Sequence, residues 1–201
     1  TAQQYFSGQQ ALDQWQAGGY QGIADFVIRH QHAANEAQLT RILPELPDLP
    51  LEAVCTLLEH IQPGSALTNA IAARLEQMLQ ANSATPNHVG ALVRALSQGP
   101  DEAQKVTLLT AVLHSDYGTE PEVIAALASR CWSTLQHPEL LTPFLETLAN
   151  NKAGQACFNR VMADLMFIPT LRALSLQVFR NPERSAALSQ AIGGMFGDGV
   201  I

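Results

Sequence analysis

The chain has 201 residues, of which 47% are hydrophobic and only 14% are charged, and its formal net charge is −7. This composition excludes a disordered tail, and the length suffices for one domain that buries a sizeable core. The acidic balance argues against a general nucleic-acid binder.

Cysteine usage and hydropathy indicate a cytoplasmic protein. Cys55, Cys131 and Cys157 lie far apart and form no C-x-x-C pair, and each falls within a helical pattern that predicts a small buried thiol. Unpaired thiols fit a reducing compartment. No apolar run approaches the roughly 18 residues of a membrane span, and no secretory signal is visible. We therefore expect a cytoplasmic protein that has no membrane partner.

Residues 1–49 predict three helices and a proline elbow. Within residues 5–16 a short helix is expected after Gly8, a second helix is expected over 20–31, and a third is predicted to begin at Asn35 and to run into Leu43. The three prolines of LPELPDLP then break regular structure, which predicts a rigid elbow before the next helix.

Residues 50–151 carry a degenerate repeat of two helices joined by a short turn. Prolines mark the starts of the first helices at intervals of 86 − 50 = 36 and 121 − 86 = 35 residues. An apolar stripe follows each start, and a hairpin of this size buries its second face only when a neighbour stacks on it. The repeat therefore predicts stacked antiparallel hairpins. The first helices are predicted to begin at Pro50, Pro86 and Pro121, and their partners near Ser65, Asp101 and Pro138.

Capping residues support this register. Thr85 is placed to accept a bond from a free first-turn N–H, and Pro86 fills a position whose own N–H has no intrahelical acceptor. Asp101 followed by Gln104 resembles a capping box, and the T-x-x-E that begins at Thr119 predicts another. Turn chemistry and apolar pattern therefore agree.

The stretch YFSGQQALDQWQAGGYQGIADFVIRH, residues 5–30, resembles the beginning of the helical C-terminal part of an uncharacterised bacterial protein family. Longer members of that family carry an additional N-terminal region. The resemblance covers most of the chain and implies a helical fold, but it implies no activity, no cofactor and no functional residue. In the length of its repeat and the spacing of its apolar residues, the chain is also similar to helical repeats of the HEAT or armadillo kind. Tetratricopeptide and ankyrin signatures are absent from the sequence.

Residues 152–196 predict a shorter hairpin and a cap helix, followed by a flexible tail at 197–201. Helices are expected over 152–168, from Pro169, and from Pro182 to the tail. The last helix carries an apolar stripe that needs a cover, either by folding back over the preceding helix or by sharing with a second copy of the chain. We expect the cap, with a homodimer as the alternative. The predicted association surface consists of Leu188, Ile192, Met195 and Phe196.

Motifs for catalysis or cofactor binding are absent from the sequence. His30 and His32 would point to nearly opposite sides of a helix, so two surface histidines are expected rather than a metal site. His60, His114 and His137 are placed near predicted helix C-termini, where the dipole favours an imidazolium. GGMFGDG resembles a phosphate loop, but no strand precedes it, and no nucleophile elbow occurs. We therefore predict no catalytic, cofactor-binding or metal-binding residue.

Four arginines lie in the only basic part of the chain. Residues 151–201 hold 5 basic and 3 acidic side chains, a net charge of +2, whereas residues 1–150 hold 6 and 15, a net charge of −9. Guanidinium groups bind carboxylates and phosphates in pairs, so the cluster predicts an anion or acidic-peptide site. The alternative is a solvated helix face. The four residues are Arg160, Arg172, Arg180 and Arg184.

These patterns predict one all-α domain, residues 1–201, of ten to twelve helices in stacked antiparallel hairpins that form a short curved solenoid. We expect a non-catalytic module that binds a protein or peptide partner and needs no cofactor. One alternative is an accessory domain of an enzyme whose catalytic region precedes Thr1. A second alternative is a contact with phosphate or nucleic acid through the C-terminal arginines.

Overall fold

The computed structural model describes residues 1–32 and 34–197, apart from the side chain of Ala17. Across these residues the protein contains twelve α-helices and no strand, which confirms the predicted all-α class. No helix among them has the length and apolar character needed to cross a membrane. The predicted flexible tail, 197–201, lies outside the described residues except for Gly197, which ends the last helix.

The chain divides into two compact units, Thr1–Lys105 and the remainder from Val106, and the division falls within the seventh helix. The helices up to that point are α1 (Ala2–Phe6), α2 (Gly19–Ile28), α3 (Asn35–Ile42), α4 (Asp48–Leu58), α5 (Ser65–Ala81), α6 (Pro86–Leu96) and α7 (Glu102–His114). Those that follow are α8 (Pro121–Arg130), α9 (Pro138–Ala149), α10 (Gln155–Met166), α11 (Pro169–Arg180) and α12 (Ala186–Gly197).

In the first unit, α4 packs between α2 and α6, while α5 packs against α3 and α6. The apolar stripe of α6 accounts for its central place, because all four of its predicted members are completely buried. The helix begins as the sequence predicts: the Thr85 hydroxyl accepts a hydrogen bond from the His88 N–H, and Pro86 is the first helical residue. The four stripe residues are Val89, Leu92, Val93 and Leu96.

The N-terminal segment contains a helix that the sequence analysis does not predict. Helix α1 ends at Phe6, and Gly8 follows with a φ of +80°, a conformation that favours glycine. The short helix expected after Gly8 is a 3-10 segment, Leu12–Gly18. Helix α1 contributes aromatic packing, since Phe6 stacks on Phe26 with ring centroids 4.3 Å apart.

The proline elbow is shorter than predicted, because α4 already begins at Asp48. Pro50 therefore occupies the third position of that helix instead of the first. Its ring loses no hydrogen bond there, since the first N–H groups of a helix have no intrahelical acceptor. Pro44 lies in a single 3-10 turn, Leu43–Glu45.

The two predicted capping boxes have different outcomes. The Asp101 carboxylate accepts a hydrogen bond of 3.0 Å from the Gln104 N–H, but the Gln104 side chain donates to Asn69 instead of closing the box. The box at Thr119 is wrong: Glu120 is the N-cap of α8 and makes no side-chain cap bond. The Thr119 carbonyl accepts instead from the Lys152 N–H, which joins the loop before α8 to the loop after α9.

In the second unit, α9 packs against α10, α11 and α12, and α10 also packs against α8, α11 and α12. Helix α9 contains Pro143, which the sequence analysis did not identify as a proline inside a helix. Five buried side chains of α9 pack in the core of this unit. A proline at position 143 removes one N–H from the helix, so tertiary burial outweighs the local penalty of about 3 kcal/mol. The buried side chains are Leu140, Leu141, Phe144, Leu145 and Leu148.

Helices α10 and α12 begin later than predicted, whereas α11 begins at Pro169 as predicted. Helix α10 starts at Gln155, not at Lys152, because Gly154 holds a φ of +77° and the Asn151 side chain closes the preceding turn. Helix α12 starts at Ala186, not at Pro182, since the Ser185 hydroxyl accepts from the Leu188 N–H.

Candidate binding groove of α10, α11 and α12

The described histidines do not belong to a candidate metal site. Among the described residues, no three His, Cys, Asp or Glu side chains are placed to hold a metal ion. His30 is buried, contrary to the predicted surface position, and its Nε2 lies 3.3 Å from the Gln62 carbonyl oxygen. His32 is exposed, as expected. The prediction that His137 lies near a helix C-terminus is wrong, because His137 is the N-cap of α9.

Two of the three cysteines, Cys55 and Cys157, have thiols whose pKa is raised by burial. Cys55 is fully buried, and burial raises the pKa of its thiol to about 12. Cys131 is also buried. Cys157 is half-buried, and burial raises the pKa of its thiol although Arg160 acts in the opposite direction. Because the thiolate is the reactive form, Cys55 and Cys157 are held in the less reactive one.

The second unit carries an apolar groove of about 450 Å³ formed by α10, α11 and α12. Phe167, which directly follows α10, lines the groove with 85% of its surface exposed, and Phe196 of α12 is 49% exposed. Seven of the nine lining residues are apolar. The groove is lined by Asn159, Met162, Ala163, Met166, Phe167, Arg172, Leu176, Met195 and Phe196.

The described lining of the groove contains one ionised side chain, Arg172. At about 100° per residue, Arg180 lies on α11 roughly 60° from the direction of Arg172 and Leu176. On α10, Arg160 and Asp164 both point away from the lining, at about 110° and about 150° from the centre of the lining face. The groove thus combines an apolar lining with a single guanidinium group.

Helix α12 shows which part of the predicted association surface is available. Leu188 and Met195 are buried against the rest of the unit, Ile192 is half-buried, and Phe196 remains largely exposed. The helix packs on α9 and α10, not chiefly on α11 as the predicted cap over the 169–180 helix required. One end of the stripe is therefore core and the other end is surface.

The four arginines of the predicted anion site have unequal environments. Arg160, Arg172 and Arg180 are exposed, and Arg172 lines the groove. Arg184 is half-buried and donates hydrogen bonds to the carbonyl oxygens of Phe179 and Asn181 and to the Ser189 hydroxyl. These hydrogen bonds stabilise the loop before α12, so the guanidinium of Arg184 has a structural role in this unit. A common site for all four arginines stays a prediction.

The sequence analysis did not predict that α10 and α11 contribute side chains to the lining of the groove. It predicted that α10 faces the core with Cys157, Val161, Leu165 and Ile168, whereas the buried members are Phe158, Val161, Met162 and Leu165. On α11, likewise, Leu174, Leu176 and Val178 are half-buried, and Leu171, Ser175 and Phe179 are buried. The apolar residues between Met162 and Phe167 form a second apolar face of α10, and the groove could have been predicted from this face.

Comparison with known proteins places the chain in a family. A family model described as a protein of unknown function (DUF3549) matches residues 1–196. The chain belongs to this family. No curated protein and no solved structure matches it. The predicted resemblance to an uncharacterised family is thus confirmed, while a bacterial origin and HEAT-like repeats stay predictions.

Proposed function

We propose that this member of the family is a non-catalytic protein-interaction module that contacts its partner through the groove of α10, α11 and α12. The observation that carries the proposal is the pair of exposed aromatic rings, Phe167 and Phe196, among the lining residues of an apolar groove. Apolar surface of this kind, bordered by polar groups, is typical of protein-binding sites. Met162, Met166 and Met195 supply flexible side chains that can repack around a partner.

The arrangement of the first unit supports a scaffold role. Packing of α4 between α2 and α6, with α5 on α3 and α6, is the neighbour-to-neighbour pattern that stacked hairpin repeats produce. We infer that the chain is a short HEAT-like solenoid and that it works in the cytoplasm. The scattered histidines and the cysteines with raised thiol pKa favour binding over catalysis. An accessory role beside an enzyme region before Thr1 is compatible with the same groove.

Site-specific photocrosslinking tests this function directly. A photoreactive phenylalanine analogue at position 167 should capture a discrete protein in the cells that make this chain, because the side chain there is open to a partner. The same analogue at Trp132, which is 45% exposed and lies outside the groove, serves as the control. Capture of the same proteins from both positions, or of none from position 167, would contradict the proposal.

A further inference from the structure

We infer that the occupant of the groove is an amphipathic helix that carries an acidic residue opposite Arg172, an inference that rests on the proposed function. The first step is the chemistry of the lining, which is apolar along its length with Arg172 as its charged member. A ligand that buries this surface must itself be apolar and must present an anion near the guanidinium, since a desolvated arginine without a partner is costly.

The helices beside the groove are as long as a short peptide helix. Helices α10 and α11 each have 12 residues, so each is about 18 Å long, or a little more than three turns. A peptide helix of the same length presents apolar anchors at i, i+3 or i+4, and i+7 along one side, which is the helix-in-groove mode of recognition. Such anchors would contact the apolar lining residues of the groove.

The exposure of the groove-lining side chains favours a peptide over a small lipid as the occupant of the groove. Pockets for small molecules typically enclose about 70–90% of the ligand, which requires walls that are themselves covered. Phe167 is 85% exposed, so the groove is open on that side and leaves room for a larger apolar body. A fatty acid would satisfy Arg172 but would leave the ring of Phe167 in water.

Charge favours an acidic partner over a second copy of this groove. In a two-fold dimer both copies use the same patch, and the described lining of this patch contains the guanidinium of Arg172 and no carboxylate. A second copy of the groove therefore supplies Arg172 with no opposite charge. A partner helix with Asp or Glu beside its apolar stripe supplies that charge as a paired guanidinium–carboxylate contact.

Selection from a displayed library of helical 14-residue peptides, with the full chain as the target, provides the probe. Enriched peptides should share an apolar stripe with an Asp or Glu next to it. They should bind the full chain in fluorescence anisotropy and lose binding to Phe167→Asp, a variant that leaves the core intact because this ring is exposed. Enriched peptides without an acidic residue would overturn the inference while leaving the proposed function standing.

A charge exchange decides the role of Arg172. Arg172→Glu should lower the affinity for the acidic peptide by about tenfold or more. Replacing the acidic residue of the peptide by lysine should restore binding to that variant. Arg29→Glu, the same change at an exposed arginine of the first unit, should leave binding unchanged. Equal binding to wild type and Arg172→Glu would overturn the inference, as would palmitate binding with no peptide enriched, or a dimer in solution that Phe167→Asp dissociates.

Discussion

The side-chain amide of Gln155 donates a hydrogen bond of 2.8 Å to the main-chain carbonyl of Ala191, and so joins the first turn of α10 to α12. The same amide donates to the Asn159 side chain, a residue of the groove lining. The close approach depends on glycine at position 194, since a Cβ there would lie 2.7 Å from Cδ of Gln155. Two polar contacts thus connect the position of α12 to the wall of the groove.

Adjacent glycines of α12 give a matched test of this contact. Gly193→Ala should stabilise the protein by about 0.5–1 kcal/mol, because a Cβ there meets nothing within 4 Å and alanine is the better helix former. Gly194→Ala should lose that gain, because Gln155 must turn away and release the Ala191 carbonyl. Chemical denaturation of both variants measures the difference. Equal stabilisation by the two substitutions would mean that the Gln155 bond contributes nothing.

The N-termini of α6 and α8 differ in a way that substitution can measure. Thr85→Ala should destabilise the protein by about 1 kcal/mol, because the His88 N–H loses its side-chain acceptor. Thr119→Ala should change stability by less than about 0.5 kcal/mol, since Thr119 makes no cap bond to α8. Thermal unfolding followed by circular dichroism gives both values. A loss at Thr119 as large as that at Thr85 would restore the predicted capping box.

These two threonines illustrate how far the sequence predicts the fold. Both precede proline by one or two residues and both match a capping pattern, yet only Thr85 caps, because the Thr119 segment is drawn into a loop contact with Lys152. The stripe of α6 was predicted correctly because all four of its members are buried, although Gly90, Ala91 and Ala95 of the same helix are buried as well. Local patterns failed on α10 and α11, where each helix has one face in the core and a second in the groove, and periodicity does not distinguish the two.

Thiol reactivity should separate the cysteines. Burial raises the pKa of the Cys55 thiol to about 12, so it is neutral at pH 8 as well as inaccessible. A disulfide reagent at pH 8 should label Cys157 first, because it is half-buried, and should label Cys55 only after unfolding. Cys157→Ser should therefore remove the early phase. Early labelling that persists in Cys157→Ser would show that a buried thiol is open to solvent.

The raised pKa of Cys55 also has a consequence for stability. In the unfolded chain this thiol ionises near its ordinary value of 9.0, whereas in the folded protein it holds its proton to about pH 12. Its contribution is therefore fully present below pH 9 and is lost as the pH rises toward 12. Cys55→Ala should reduce the loss of stability between pH 9 and pH 11 in denaturant titrations. An unchanged pH dependence would mean that Cys55 does not hold its proton in the folded state.

The two ends of the α12 stripe should respond oppositely to substitution. Leu188 is completely buried, so Leu188→Ala should cost about 2–5 kcal/mol without altering the mass in solution. Phe196 is 49% exposed, so Phe196→Ser should cost much less stability but should reduce binding at the groove. Unfolding curves and light scattering of both variants measure stability and mass. A dimer that Phe196→Ser converts to a monomer would show that this end of α12 is shared with a second copy, the alternative that the sequence left open, and would identify the exposed ring as a homodimer contact.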